Sequence, residues 1–176
     1  MAELITAKNA GKIVGVRWTN GLNCYSFAAK CQNPGGAGPV ACVPGAKAGA
    51  PVLQAGITAQ TLWAACIADG FTDASGGVLL NNYKMANPPQ CSAAEYLVAV
   101  FLDTRNSFHF ARHRDASPKR TWVHKPSAVQ DAHNMQGGYY LLDDISNATW
   151  GPYFKFVGYL KAPMAGVTVN RGTFLP

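Results

Sequence analysis

The feature that most constrains the fold is a run of seven apolar residues, Tyr96 to Leu102 (YLVAVFL). A strand with no polar face has nothing to offer water, so it belongs in the middle of a sheet covered on both sides. The neighbouring segments supply that sheet. Phe108 to Arg114 sets Phe108, Phe110 and Ala111 against His109, Arg112 and Arg114. Thr121 to Lys125 (TWVHK) follows after the polar turn Asp115 to Lys119, a spacing typical of a hairpin. Tyr153 to Leu160 (YFKFVGYL) alternates as far as Gly158, and Lys12 to Trp18 alternates near the start of the chain.

Helices are read earlier in the chain. Asn23 is a good N-cap, and the residues after it suit a short helix over 24–30 with Cys24 in its first turn. Thr58 to Asp69 reads as a second helix, capped by Thr58, with Leu62, Ala65 and Cys66 on one face and Gly70 just past its end. Residues 32–56 are rich in Gly, Pro and Ala without periodicity, and 72–77 reads as a polar turn. Helices first and an antiparallel meander afterwards predict an α+β fold. At 176 residues, with 18 glycines and 11 prolines, one domain over 1–176 is expected, and a helical bundle is not.

Charge narrows the function classes. Only 14% of the residues are charged, against a usual ~25%, which argues against disorder and coiled coil. The net charge is +6, concentrated in Arg105, Arg112, Arg114, Lys119, Arg120 and Lys125, among which Asp115 is the sole acid. A basic face of this kind suits an anionic polymer such as cell wall or nucleic acid. No nucleic-acid-binding motif accompanies it, so a nucleic-acid partner is not expected. No stretch approaches 18 apolar residues, so membrane insertion is not expected. The N-terminal residues lack the apolar core of a leader peptide. The expectation is a chain without a signal peptide, cytoplasmic at synthesis, that reaches a cell wall by lysis, by a secretion machine or on a phage particle.

Five cysteines (Cys24, Cys31, Cys42, Cys66, Cys91) contain no CxxC pair, which argues against zinc ribbons and thioredoxin-type redox motifs. Outside the cytosol, a Cys31–Cys42 bridge would close the Gly/Pro loop. Cys24 differs from the rest in position. Amide groups at a helix start stabilise a thiolate, and a nearby imidazole completes a nucleophile–base pair. His109 on the second strand is the candidate base. His124, on the strand paired with it, would orient His109, since side chains on one face of adjacent strands meet at ~5 Å; Asp131 is the rival for that third role. The bland readings are an inert buried cysteine and ordinary strand histidines, and the pattern alone leaves them open.

Other groups weigh less. His113 lies four positions from His109 on the same strand face and is a second candidate base. His133 falls in a polar loop. Cys24, His109 and His124 as zinc ligands lack a tight ligand pair. Asp143-Asp144 lacks the partner a glycosidase needs. PGGAG (34–38) lacks the Lys-Ser/Thr of a P-loop. Trp63, Trp122 and Trp150 read as core, with Trp122 close enough to His124 to line a cleft.

The segments NCYSFA (23–28), SFHFARHRD…TWVHKPS (107–127) and YFKFVGYL (153–160) resemble a family of bacterial and phage proteins of papain-like fold. That family carries an NCYxYA element, an HWYR-type strand, a WSHKPG strand and a closing Y..FVGY strand. The layout is also similar to the CHAP and NlpC-type cell-wall amidases and endopeptidases. The resemblance runs from Asn23 to Leu160. It implies a papain-like arrangement in which Cys24 is the nucleophile, His109 the base and His124 the orienting residue. The oxyanion donors it implies are the Cys24 amide and a side chain upstream, Asn20 or Asn23. The implied activity is hydrolysis of peptide or amide bonds, with peptidoglycan the favoured substrate and no cofactor required. Ala111 and Ser127 depart from the pattern, standing where an aromatic residue and a glycine are usual. A second expectation stands beside this one: a non-catalytic structural or accessory protein of the same fold, such as a phage virion component.

Overall fold

The computed structural model describes residues 23–31, 42–52, 55–79, 88–113, 122–125, 135–136, 139–140, 145–148 and 150–171. The strand expected over 12–18, the turn 115–119, Asn20, Asp131, His133, PGGAG and Asp143-Asp144 lie outside these residues. The elements in chain order are α1 (Cys24–Ala28), α2 (Ala59–Asp69), β1 (Thr72–Asp73), β2 (Glu95–Asp103), β3 (Ser107–His113), β4 (Trp122–His124), β5 (Met135–Gln136), β6 (Tyr139–Tyr140), a 3-10 turn at Ile145–Asn147, and β7 (Phe154–Pro163). The fold is α+β. Five strands pair antiparallel in the order β1-β7-β2-β3-β4, and β5 pairs with β6 apart from them.

The apolar run lands where its composition requires. β2 is the middle strand, with β7 on one side and β3 on the other. Its alternate residues enter two different cores. Tyr96, Val98 and Val100 pack with Phe108 and Phe110 of β3 under the two helices, against Tyr25, Leu62, Trp63 and Cys66. Leu97, Ala99 and Phe101 pack on the opposite face with Ala111, Trp122, Ile145, Phe156 and Tyr159. Both faces of the sheet are covered, one by helices and one by the 145–156 segment.

Two local features differ from the sequence expectation. Alternation in β7 fails because the β2–β7 register shifts, Val100 facing Gly158 and Phe101 facing Phe156. The extra residue is a β-bulge, and it puts Phe156 and Tyr159 on one face and Val157 and Leu160 on the other. Gly158 permits it: φ is +155°, and a Cβ there would lie 2.9 Å from the Trp63 ring. The polar turn expected at 72–77 begins with β1, because Thr72 and Asp73 pair with Lys161 and Leu160 along the edge of β7. That pairing is tertiary and leaves no mark in two polar residues.

α1 is short. Its N-cap is Asn23, whose Oδ1 accepts from the Ser26 N–H at 3.2 Å. It stops at Ala28, and Lys30 takes a left-handed conformation (φ 54°) while the Cys31 N–H returns to Ser26 O. α2 is capped as its sequence predicts, with Thr58 and Thr61 forming a capping box and Gly70 left-handed at the C-terminus. The two helices are tied by a buried acid. Asp69, at the end of α2, accepts from Tyr25 Oη at 2.7 Å, from the Gly45 N–H at 2.8 Å and from the Ala48 N–H at 3.1 Å. The residue after Cys24 is thereby held against both α2 and the turn at 44–49.

Candidate active site

β3 runs Ser107 to His113, and alternation sends Phe108 and Phe110 toward the helices and His109 toward the opposite face. β4 pairs with it in the register Ala111↔His124 and His113↔Trp122, so His124 shares the face of Ala111 and therefore of His109. The two imidazoles meet there. His109 Nε2 and His124 Nδ1 are 2.9 Å apart, with the rings nearly perpendicular. Both side chains are buried. A neutral imidazole has one donor and one acceptor nitrogen. With the proton on His109 Nε2, His124 accepts it, and Nδ1 is the His109 nitrogen that would serve as base.

Trp150, expected in the core, takes a more specific position. Its indole lies 4.3 Å from the His109 ring and 4.5 Å from the His124 ring, centroid to centroid, and is partly exposed. Phe154 lies 6.4 Å from His109 on the same side. An aromatic cover excludes water from the imidazole hydrogen bond, and lower local dielectric strengthens it. The indole Nε1 is buried and has no hydrogen-bond partner, an unsatisfied donor beside the couple. Trp150 is 26 residues beyond His124 in an irregular stretch, so no spacing rule could have placed it. Trp63 and Trp122 are buried in the two cores as expected, Trp122 stacking on Tyr159 at 5.7 Å. His113 lies farther along β3 with its ring 5.5 Å from Trp122.

Cys24 approaches β3 from the helix side. Its Sγ donates to the Phe108 carbonyl oxygen at 4.0 Å, and the Phe110, Tyr25 and Cys24 backbone N–H groups also bear on the sulfur. The reason lies in the strand pairing. β4 stops pairing at Ala111↔His124, so the backbone at Phe108 and Phe110 lies past its end, and α1 brings the sulfur to that edge. The sulfur thus lies against the strand on either side of His109. In this structure the hydrogen bond of the thiol runs to main chain. Burial pushes its pKa up from 9.0 to about 12, despite those amides and despite the charge of Lys125, both of which pull it down. The resting group is a thiol.

Asn23 has a structural task. Besides capping α1, it donates from Nδ2 to the Cys42 carbonyl oxygen at 2.7 Å. Those bonds join α1 to the 42–52 segment. The five cysteines are free thiols, so no Cys31–Cys42 bridge is present. Among the described residues no three His, Cys, Asp or Glu side chains assemble a metal cage, and no helix is long and apolar enough to cross a membrane. Lys125 and Arg112, expected in the basic face, are both buried. Arg112 instead lays its guanidinium over the Phe27 ring at 4.6 Å.

Compared with protein-family models, curated proteins and solved structures, the chain finds no match.

Proposed function

We propose that the chain is a cysteine hydrolase of papain-like arrangement that cleaves peptide or amide bonds, with peptidoglycan cross-peptides as substrate. The observation that carries this reading is the His109–His124 couple, 2.9 Å between ring nitrogens, formed on the strand whose backbone bears the Cys24 sulfur. A surface histidine pair has no reason to be buried and covered by an indole, whereas a base that must be held in one tautomer has. In the reaction the proton crosses the open edge of β3, past the end of β4, from Cys24 to His109 Nδ1 as Sγ attacks the carbonyl carbon. The Cys24 N–H donates to the oxyanion, and the imidazolium then protonates the leaving amine. Water, deprotonated by the same imidazole, hydrolyses the thioester. His124 keeps His109 in orientation throughout. The positive charge of the chain suits an anionic wall polymer.

A resting thiol with a pKa near 12 does not operate as a preformed thiolate–imidazolium pair. The mechanism therefore moves the proton during attack, as serine hydrolases do. The test is release of amino groups from purified peptidoglycan and from a peptide library by the wild type, Cys24→Ala and His109→Ala. Loss of cleavage in both variants, with folding retained, supports the reading. Full activity in Cys24→Ala refutes it.

One observation favours the second reading, a structural or accessory protein of the same fold. The thiol donates to the Phe108 carbonyl, as an inert buried cysteine does. Absence of hydrolysis by a folded wild type, together with incorporation into an assembly that Cys24→Ala leaves unchanged, would establish that role.

A further inference from the structure

Cys24 stands in a helix too short to hold it. α1 spans five residues, Cys24–Ala28, and a helix of that length has no stability of its own. The place of the sulfur is therefore set by what its two chain neighbours grip. Asn23 donates from Nδ2 to the Cys42 carbonyl oxygen at 2.7 Å. Tyr25, on the other side, donates from Oη to Asp69 Oδ2 at 2.7 Å. The same carboxylate accepts from the Gly45 N–H at 2.8 Å and from the Ala48 N–H at 3.1 Å. Both flanks of Cys24 thus end on one segment, 42–48. That segment is folded on itself, the Ala46 N–H returning to Val43 O, the Ala50 N–H to Gly45 O and the Val52 N–H to Pro44 O. Gly45 permits the turn, since its φ is +84° and a Cβ there would strike the Ala50 carbonyl oxygen. Lys47 Nζ closes it over the end of α2, donating to the Asp69 carbonyl oxygen at 3.2 Å.

The Tyr25 ring carries this grip to the strand of the base. It packs on Phe110 at 5.0 Å and on Phe108 at 6.4 Å, centroid to centroid, and these two residues flank His109 in β3. The Phe108 carbonyl oxygen is also the acceptor of the Cys24 thiol. A shift of the Tyr25 ring therefore moves the sulfur relative to the strand that bears His109. Asp69 is what fixes the ring. A fully buried carboxylate at a helix C-terminus is a costly way to join two helices that already share an apolar core. What such a group adds is a single geometry, because every one of its partners must stay within hydrogen-bond distance.

We infer that Asp69 positions the nucleophile: through Tyr25 and the 42–48 turn it holds the Cys24 sulfur at the strand of His109. The inference rests on Cys24 being the nucleophile. Asp69 is a positioning residue, acting through Tyr25 on Cys24 without contact with the reacting atoms. The nucleophile and the base are then held by separate devices, the sulfur by a buried carboxylate on the helix side and His109 by His124 on the opposite face.

The test compares the wild type, Tyr25→Phe and Asp69→Asn in the full chain, each shown to be folded by circular dichroism. Tyr25→Phe keeps the ring and its packing and deletes the bond to Asp69. Asp69→Asn keeps the size of the side chain and turns an amide NH2 toward donors that need an acceptor. One readout is the alkylation rate of Cys24 by iodoacetamide at a fixed, mildly alkaline pH, read by peptide mass. It should rise about tenfold in both variants, because a thiol raised by burial to about 12 falls back toward its ordinary value as water reaches it. Cys91, packed on the other face of the sheet with its thiol on the Glu95 carbonyl oxygen, is the internal control and should not change. The other readout is amide cleavage. There kcat should fall about tenfold with KM unchanged, since misplacing a reacting group costs turnover and not substrate binding. A variant that is merely less stable would react faster at Cys24 and Cys91 alike, and that result overturns the inference. So does an unchanged Cys24 rate in folded Tyr25→Phe. Should Asp69→Asn not fold, Tyr25→Phe alone decides. The alkylation rate does not depend on turnover. Faster alkylation of Cys24 in a chain that hydrolyses no substrate would support the hold on the sulfur and remove the hydrolase. Hydrolysis that needs Cys24, with kcat unchanged in Tyr25→Phe, would do the reverse.

Discussion

Asp69 ends an α-helix, where the macrodipole disfavours a carboxylate, and its side chain is fully buried. Three donors compensate: Tyr25 Oη at 2.7 Å, the Gly45 N–H at 2.8 Å and the Ala48 N–H at 3.1 Å. Asp69→Ala leaves all three without an acceptor. An orphaned buried donor costs about 1–3 kcal/mol, so the substitution is expected to cost about 3–5 kcal/mol after relaxation of the turn at 44–49. Tyr25→Phe removes one charge-assisted bond and leaves the carboxylate its two amides, a cost of about 1.5–3 kcal/mol. The double variant Tyr25→Phe/Asp69→Ala should be less destabilised than the sum of the two, because the Tyr25 donor that Asp69→Ala orphans is then absent. Urea unfolding followed by tryptophan fluorescence measures all four proteins. Because Tyr25 adjoins Cys24, Tyr25→Phe should also change the Cys24 alkylation rate. The reasoning is refuted if Asp69→Ala costs under 1 kcal/mol, or if the two substitutions add without coupling.

Gly158→Ala places a methyl 2.9 Å from the Trp63 ring and from Ser75 Oγ at φ +155°; a loss of about 2–4 kcal/mol is expected from overpacking and backbone strain. A thermal midpoint within 1 °C of wild type would contradict it. Burial raises the pKa of Cys24 to about 12, of Cys42 to about 11, and of Cys66 well above its ordinary 9.0. The unfolded chain therefore loses these protons first as pH rises past 9. The stabilisation is complete below that pH and declines above it, by about 1 kcal/mol per thiol between pH 9 and 10, or about 3 kcal/mol in all. Urea midpoints that stay flat to pH 10 would rule this out. Trp150→Phe keeps an aromatic cover and deletes an unsatisfied N–H, so the His109 titration seen by NMR should barely move. Trp150→Ala admits water to the couple and should shift it clearly; equal titrations in the two variants would deny the indole its role as cover.

Much of the architecture was legible because it depends on short-range rules. A strand apolar at every position must be central, and β2 is. Asn23 and Thr58 cap helices because their side chains reach amides three residues on. His109 and His124 share a face because β period and hairpin register allow nothing else once the pairing is set. What the chain could not declare locally is whatever depends on distant segments meeting. β1 exists through the edge of β7, and the break in β7 alternation follows from a bulge that accommodates Trp63. The cover of Trp150 over both imidazoles joins residues 26 and 41 positions apart. A count of charges reads Arg112 and Lys125 as surface, since most cations are; only tertiary packing buries them, Arg112 over an aromatic ring. Residue types and their period therefore determined which face of the sheet the imidazoles take. The protonation of Cys24 and its main-chain hydrogen bond were decided by the tertiary structure, because desolvation and Coulomb interaction depend on distances through space and not along the chain.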